Sequence, residues 1–414
     1  MKTTILILTF FLGSAQAAVF ECTSTQEQDL RIILEKAKSI TTEPVEIQLA
    51  ANINLTNTLE IWSSNPHSFT LTGSADVTLN GSSCPKGADT LAMNGKNIII
   101  QNLHITHSQG NSLRLAASGK YLIKNCQFTH SQGGGIIIWN EQPSPRADST
   151  LERIISNNLI EHFNLANVQW SHDGMSIQDD DTLIQNNTVK NCTAECMGIR
   201  VMGRNNQISQ NIVTSVGHAD SGGIYLWGGK NIYHYLGNIV KNNIISKVSR
   251  GIYLDDGTSG ALIEHNWIDQ AQVAGIFIGG GRDNTIIQNI ISQSPIGIHL
   301  DTRTAGWDTG PDKMILWTQA YQQLTHLLSD LTAAPLLKKR FPQFNATLPT
   351  IQDYIKPFKN IIIENKLYQV TQDQFFQDYS VHTQLADKMH LYNQLEPSIQ
   401  LTQLPKESDF LTHP

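Results

Sequence analysis

Charge is scarce in this chain. Of 414 residues only 16% are Asp, Glu, Lys or Arg, against 40% hydrophobic. That balance excludes intrinsic disorder, in which too little apolar surface is available to offset chain entropy. There is no excess of positive charge either. A net charge of −7 argues against a nucleic-acid partner, whose phosphates call for a basic surface. Beyond the N terminus no apolar run is long enough to span a bilayer. Cysteine is sparse: Cys22, Cys84, Cys126, Cys192 and Cys196. The odd count leaves at least one thiol unpaired within a monomer. No CxxC pair or histidine cluster accompanies them, which speaks against zinc and leaves no metal ligands to assign.

What is present at the N terminus sets the compartment. Lys2 precedes a short apolar run, Ile5 to Leu12, followed by a small-residue stretch ending at Ala18. That is the pattern of a secretory signal peptide over residues 1–18. The mature protein is then expected to be secreted or periplasmic, with no membrane contact after cleavage. Export permits disulfides. Cys22 with Cys84 would staple the N-terminal part, and Cys192 with Cys196 would close a small loop.

The chain is organised around a five-residue pattern of glycine, apolar, variable, apolar, variable. It reads GIYLD at Gly251–Asp255, GIFIG at Gly275–Gly279 and GIHLD at Gly297–Asp301. Related copies start at Gly135, Gly174, Gly198 and Gly223. Alternation of this kind marks a strand with one buried face. Repetition every ~23 residues marks stacked rungs. A second element, Asn followed two residues later by an apolar residue, recurs at Asn158, Asn187, Asn211, Asn243, Asn266, Asn289 and Asn365. Asparagines stacked at one corner of a solenoid can bond to each other and to turn backbone. Cys126 takes that place one rung earlier.

The expected architecture is all-β: a right-handed parallel β-helix over residues 45–301, preceded by an N-terminal cap in 19–44. The cap contains an amphipathic helix from Gln26 to Ser39, suited to cover the open end of a solenoid. Residues 302–355 read as a helical insertion, 356–370 as a final rung and 371–414 as a C-terminal cap or tail.

In each copy the second and fourth positions point inward and the third and fifth outward. The outward columns collect Arg200, Tyr225, Tyr253, Phe277 and His299, and beside them Trp227, Asp255, Gly279 and Asp301. Aromatic rings stack on the apolar faces of sugars, and the polar groups suit sugar hydroxyls, so this face suits an extended carbohydrate. The bland alternative is that loops cover the aromatics. Asp255 and Asp301 lie two rungs apart with Gly279 between them, which puts their stems ~10 Å apart. Two carboxyls straddling a bond are the requirement of glycosidic hydrolysis. Asp256 competes with Asp255 for the role, although Asp before Gly is also a turn residue. Arg282, Arg303, Trp307 and His218 are further substrate-binding candidates. For Arg282 the competing reading is a turn salt bridge with Asp283.

The segments GGGRDN at Gly279–Asn284, GIHLDTR from Gly297, GWD at Gly306–Asp308 and LLKKRFPQF at Leu336–Phe344 resemble exported carbohydrate-active β-helix enzymes. The nearest resemblance is to the β-helix glycoside hydrolase family that holds fucosidases and xylanases. It implies an exported monomer acting on a polysaccharide or oligosaccharide without a cofactor. Two other readings use the same fold. A polysaccharide lyase or epimerase needs a base and a cation or Ca²⁺ to neutralise a sugar acid. Lysine is missing from both outward columns, which counts against a lysine base. A non-catalytic carbohydrate-binding β-helix would need the aromatics but not the carboxylates.

Overall fold

The computed structural model describes residues 17–74, 76–140, 153–168, 172–192, 194–227, 237–301 and 360–377, with short pieces at 318–319, 322, 394–395 and 399–400. Residues 1–16, on which the signal-peptide expectation falls, Arg303, Trp307 and nearly all of 302–355 lie outside them. The chain divides into two compact units: residues 1–144 with 150–199, and residues 145–149 with 200–414.

Each unit is a parallel β-solenoid whose rungs present three strand faces. In the first unit one face runs through Leu59–Trp62, Leu91–Gln101, Leu113–Lys124, Ile136–Trp139 and Met175–Gln178. In the second unit the corresponding face runs through Gly222–Trp227, Arg250–Asp255, Ala274–Gly279, Ile296–Asp301 and Gln372–Gln377. The rung pattern therefore continues past Val370. Every one of these pairings is parallel, as stacking of one coil on the next requires.

Left-handed corners divide two stretches that would otherwise continue as single strands. The apolar runs Asn97–Ile105 and Lys120–Phe128 read as continuous. In the structure they break at Asn102 (φ 55°) and Asn125 (φ 53°). The same left-handed corner recurs at Asn157, Asn186, Gln210, Asn242, His265, Gln288 and Glu364. Asn tolerates this conformation better than most side chains, and one such residue turns the chain from one face to the next.

From Asn157 onward, the residue after each of these corners carries the ladder. Asn243 Nδ2 donates 2.9 Å to Asn266 Oδ1, and Asn266 Nδ2 donates 2.9 Å to Asn289 Oδ1. In the first unit Asn158 Nδ2 bonds Asn187 Oδ1 at 2.9 Å, and the Cys126 amide donates to Asn158 Oδ1. A second ladder, not singled out in the sequence, stands five residues earlier: Asn206 N to Asn238 Oδ1, Ala261 N to Asn284 Oδ1 and Asn284 Nδ2 to Asn360 Oδ1. Its signal is there to read as N-x-I-x-x-N in Asn206–Asn211 and Asn284–Asn289. Both ladders satisfy corner backbone groups that the buried turns would otherwise leave unpaired.

The motif glycines have a steric reason. A Cβ on Gly251 would lie 2.3 Å from Gly275 O and 2.4 Å from Ile268 Cγ2. A Cβ on Gly275 would meet Ile291 Cγ2 at 2.4 Å and Gly297 O at 2.8 Å. Each rung thus rests on the next glycine's carbonyl and on an apolar side chain of the core.

The N-terminal helix spans Glu27–Lys38 and buries Leu30, Ile33, Leu34 and Ala37. Glu27 and Asp29 occupy its first turn and Lys36 and Lys38 its last, matching the helix dipole. Glu27 also accepts from Thr56 N and Thr56 Oγ1 at 2.7 Å each, tying the helix to the first rungs. Cys192 and Cys196 form a disulfide. The Cys22–Cys84 staple is not formed: both thiols are buried and free. Their sulfurs point to different backbone carbonyls, Ser24 O and Leu55 O.

Candidate functional site

The outward columns of the second unit assemble by register. Tyr225, Tyr253, Phe277 and His299 sit opposite one another on four successive strands. Trp227 lies opposite Asp255, and Gly279 opposite Asp301. The sequence places these residues by alternation alone, because Ile224, Leu226, Ile252, Leu254, Ile276, Ile278, Ile298 and Leu300 all turn into the core.

The expected open aromatic groove is corrected by the side chains themselves. Tyr225, Tyr253, Phe277 and His299 are all buried, as are Arg282 and Asp301. The rings pack edge to face, with centroids 5.1, 5.0 and 4.3 Å apart down the column. Edge-to-face packing sets the positive rim of one ring against the negative face of the next. A large part of the column's aromatic surface is therefore spent on packing of the rings against one another.

Charge is layered onto that column. The Arg250 guanidinium lies 4.8 Å from the centre of the Tyr253 ring and 4.9 Å from that of Phe277. Arg200 stands 5.5 Å from the Tyr225 ring. A cation over an aromatic face is attracted by the ring quadrupole, more strongly when desolvated. Arg250 was not among the sequence candidates, since it precedes the glycine and lies outside the five-residue pattern. It also donates to Ala219 O at 3.0 Å and pairs with Asp220 at 3.1 Å. Ser249 Oγ binds the same carbonyl. Together they fix the loop that carries the exposed His218.

The carboxylates occupy distinct settings. Asp255 is half-buried. Its Oδ2 accepts 2.6 Å from the Tyr225 hydroxyl, and its Oδ1 accepts 2.9 Å from the Asp256 amide. Burial first, and then the Asp255 charge, push the Tyr225 phenol well above its ordinary range, so it remains a proton donor. Asp256 has φ 44° and starts the turn, and its Oδ2 accepts from Trp227 Nε1 at 3.1 Å. The turn role read from the sequence is what Asp256 performs. Arg282 Nε bonds Asp283 Oδ2 at 3.2 Å. That is the salt-bridge reading, and Asp283 at φ 54° is a turn residue. Asp301 closes the column on the last strand of this face whose side chains are described, with Gly280 N donating 2.7 Å to its backbone carbonyl.

Among the described residues no group of three or more His, Cys, Asp or Glu side chains is arranged to hold a metal ion. Among them, too, no helix is long and apolar enough to cross a membrane.

Comparison with known proteins agrees with the coil geometry. A family model described as "Right handed beta helix region" matches residues 152–308. The fold is a right-handed parallel β-helix. No curated protein matches this chain. Among solved structures, the Dettilon tailspike protein is 16% identical with a TM-score of 0.37. That match takes in 66% of this chain, which spans 60% of the tailspike chain. The A-module of the Azotobacter vinelandii mannuronan C-5 epimerase AlgE4 is 10% identical, TM-score 0.41, with 87% of this chain and 95% of that one covered. A periplasmic alginate epimerase, AlgG, is 12% identical, TM-score 0.38, covering 94% of this chain and 86% of its own.

Proposed function

We propose that this protein is an exported, monomeric, carbohydrate-active enzyme that works on the second unit's outward face, with Asp255 and Asp301 as its acid/base pair. The supporting observation is the column Asp255–Gly279–Asp301. Two carboxylates stand two rungs apart, ~10 Å between stems, across a residue with no side chain. In a glycoside hydrolase one carboxyl protonates the leaving glycosidic oxygen. The other attacks the anomeric carbon or activates water. Arg200, His218 and Trp227 would contact the sugar from the same face. No cofactor is needed for this chemistry.

A second reading draws on a specific contact. The protonated Tyr225 hydroxyl on Asp255, with His299 in the same column, also suits a lyase or epimerase. Both remove the proton beside a sugar carboxylate: an epimerase delivers one to the opposite face of that carbon, whereas a lyase expels the neighbouring glycosidic oxygen and leaves a double bond, with Arg200, Arg250 or Ca²⁺ neutralising the acid.

A panel of plant and microbial polysaccharides incubated with the full chain, with and without EDTA, separates them. New reducing ends without ultraviolet absorbance, lost in Asp301→Asn, support hydrolysis. An absorbing unsaturated product, or epimerised residues by NMR without cleavage, overturns hydrolysis and supports the second reading. Binding without any product leaves a carbohydrate-binding β-helix.

A further inference from the structure

The first unit carries its own exposed aromatic column, separate in its evidence from the acid/base pair. Trp62 and Trp139 are 59% and 57% exposed. Among the described residues they are the only aromatics in the set of exposed large apolar side chains. They share one strand face. Trp62 lies opposite Asn94, and Asn94 opposite Ala116. Trp139 follows Ile138, which lies opposite Leu115, so it takes the place beside Ala116. The burial pattern agrees, because Ile61, Met93, Leu115 and Ile138, the residues just before them, are all buried. The two indoles are thus three rungs apart, ~14 Å at the ordinary strand spacing. Between them stand only an amide and a methyl, so both rings rise above the strands.

The surroundings decide the occupant. Gln178 lies opposite Trp139 on the far side of the column. Two residues back along the strands, the neighbouring column includes Glu60 and Arg114, and Arg114 is already paired with Asp89 at 2.6 Å. The face is near neutral and rich in hydrogen-bonding groups. A protein partner asks for a contiguous, well-packed apolar centre. A membrane surface asks for basic charge beside its apolar anchors. Two separated flat apolar rings, with the Asn94 amide between them and the Gln178 amide just beyond, match the alternating C–H faces and hydroxyls of a sugar chain. We propose that Trp62 and Trp139 form a glycan-holding platform on the first unit, which retains a polysaccharide without taking part in its chemistry.

The test is affinity electrophoresis of the full chain in native gels that each contain xylan, mannan, polygalacturonate or alginate. The expected result is retardation in at least one gel, unchanged in Asp301→Asn. Trp62→Ala and Trp139→Ala should each weaken it roughly two- to ten-fold, the worth of one aromatic contact, while Trp139→Tyr retains most of it. Both positions are exposed, so circular dichroism and melting of the variants should match the parent. No retardation in any gel overturns the platform, as does retardation that both alanine variants preserve. In the latter case an active parent leaves the Asp255–Asp301 assignment standing. A dimer in gel filtration that the alanine variants dissolve would give the face to a second copy and also overturn the proposal.

Discussion

The Tyr225 hydroxyl donates to Asp255 across one rung step at 2.6 Å, and burial keeps that phenol protonated. The pair is a donor held against a carboxylate in a low-dielectric setting, where a hydrogen bond to a charged group is worth about 1.5–3 kcal/mol. Tyr225→Phe removes the donor and keeps the ring that packs edge to face on Tyr253. It should therefore lower turnover on the polysaccharide found by the panel roughly ten- to a hundred-fold, with a melting temperature lowered by about a few degrees for the lost bond. Unchanged turnover would remove Tyr225 from the reaction.

Gly275 and Gly87 offer a contrast between steric and conformational need. At Gly275 a Cβ would press on the Gly297 carbonyl and Ile291, neither of which can yield without moving the next rung. Overpacking of this kind costs about 1–3 kcal/mol or more. At Gly87 nothing lies within 4 Å, but φ is +82°, so Ala there meets only the left-handed penalty of about 1 kcal/mol. Urea midpoints should fall further for Gly275→Ala than for Gly87→Ala. The reverse order would sink the close-packing account of the repeat.

The rungs were legible because glycine and alternation report the same event: a close approach on one side and a buried face on the other. The first Asn ladder was legible for a similar reason, its spacing following the rung period. The corners were not, since Asn102 and Asn125 sit inside apolar runs that look continuous until a left-handed φ is known. Outward direction was also legible, but direction is not exposure. Tyr225, Tyr253 and Phe277 point away from the core and are buried all the same, because each ring has a neighbour one rung away. Arg250 escaped because its partners, Ala219 and Asp220, are distant in sequence. The Trp62–Trp139 column escaped because Asn94 and Ala116 carry no aromatic signal to link the two.

Asn243 is as densely bonded as Asn266 and Asn289, the next two members of the ladder. It accepts from Asn211 N and Nδ2, and donates to Ile208 O, Lys241 O and Asn266 Oδ1. Asn243→Ala leaves several buried groups orphaned at once, at about 1–3 kcal/mol for each that stays unsatisfied. A solenoid's stability is roughly a sum over neighbouring rungs, so the loss should be local. Hydrogen exchange should accelerate most in Ile212–Val216, Ile244–Val248 and Trp267–Asp269, the strands stacked on either side. Uniform acceleration over the whole chain would argue against rung-by-rung cooperativity.

His107, His130 and His162 stack at successive left-handed corners of the first unit, with ring centroids 5.1 and 4.9 Å apart. Burial, then His162 and His107, lower the His130 pKa below its ordinary 6.5, against an opposing pull from Glu161. Lys190 stands 3.4 Å from Glu161 and spends part of that carboxylate's charge. His104, also lowered by burial and by His107 and His130, sits in the same cluster. The sign follows from linkage: the folded chain binds fewer protons here than the unfolded one. Stability from the stack is present above pH ~6.5 and is lost as the pH falls through the lowered value. Asp179 acts oppositely, because burial outweighs Arg153 and lifts its carboxyl to about 6, favouring the fold as pH falls through that value. A melting curve of the parent alone would mix the two. The informative quantity is the difference between parent and His130→Asn at each pH. Asn fits the position, as Asn191 at φ 63° already takes the left-handed conformation at the corresponding place one rung beyond His162. The variant should gain melting temperature relative to the parent as pH drops from 7.5 to 5, with the gap shrinking at high salt. A gap that stays constant across that range would show that the stacked histidines do not repel on protonation.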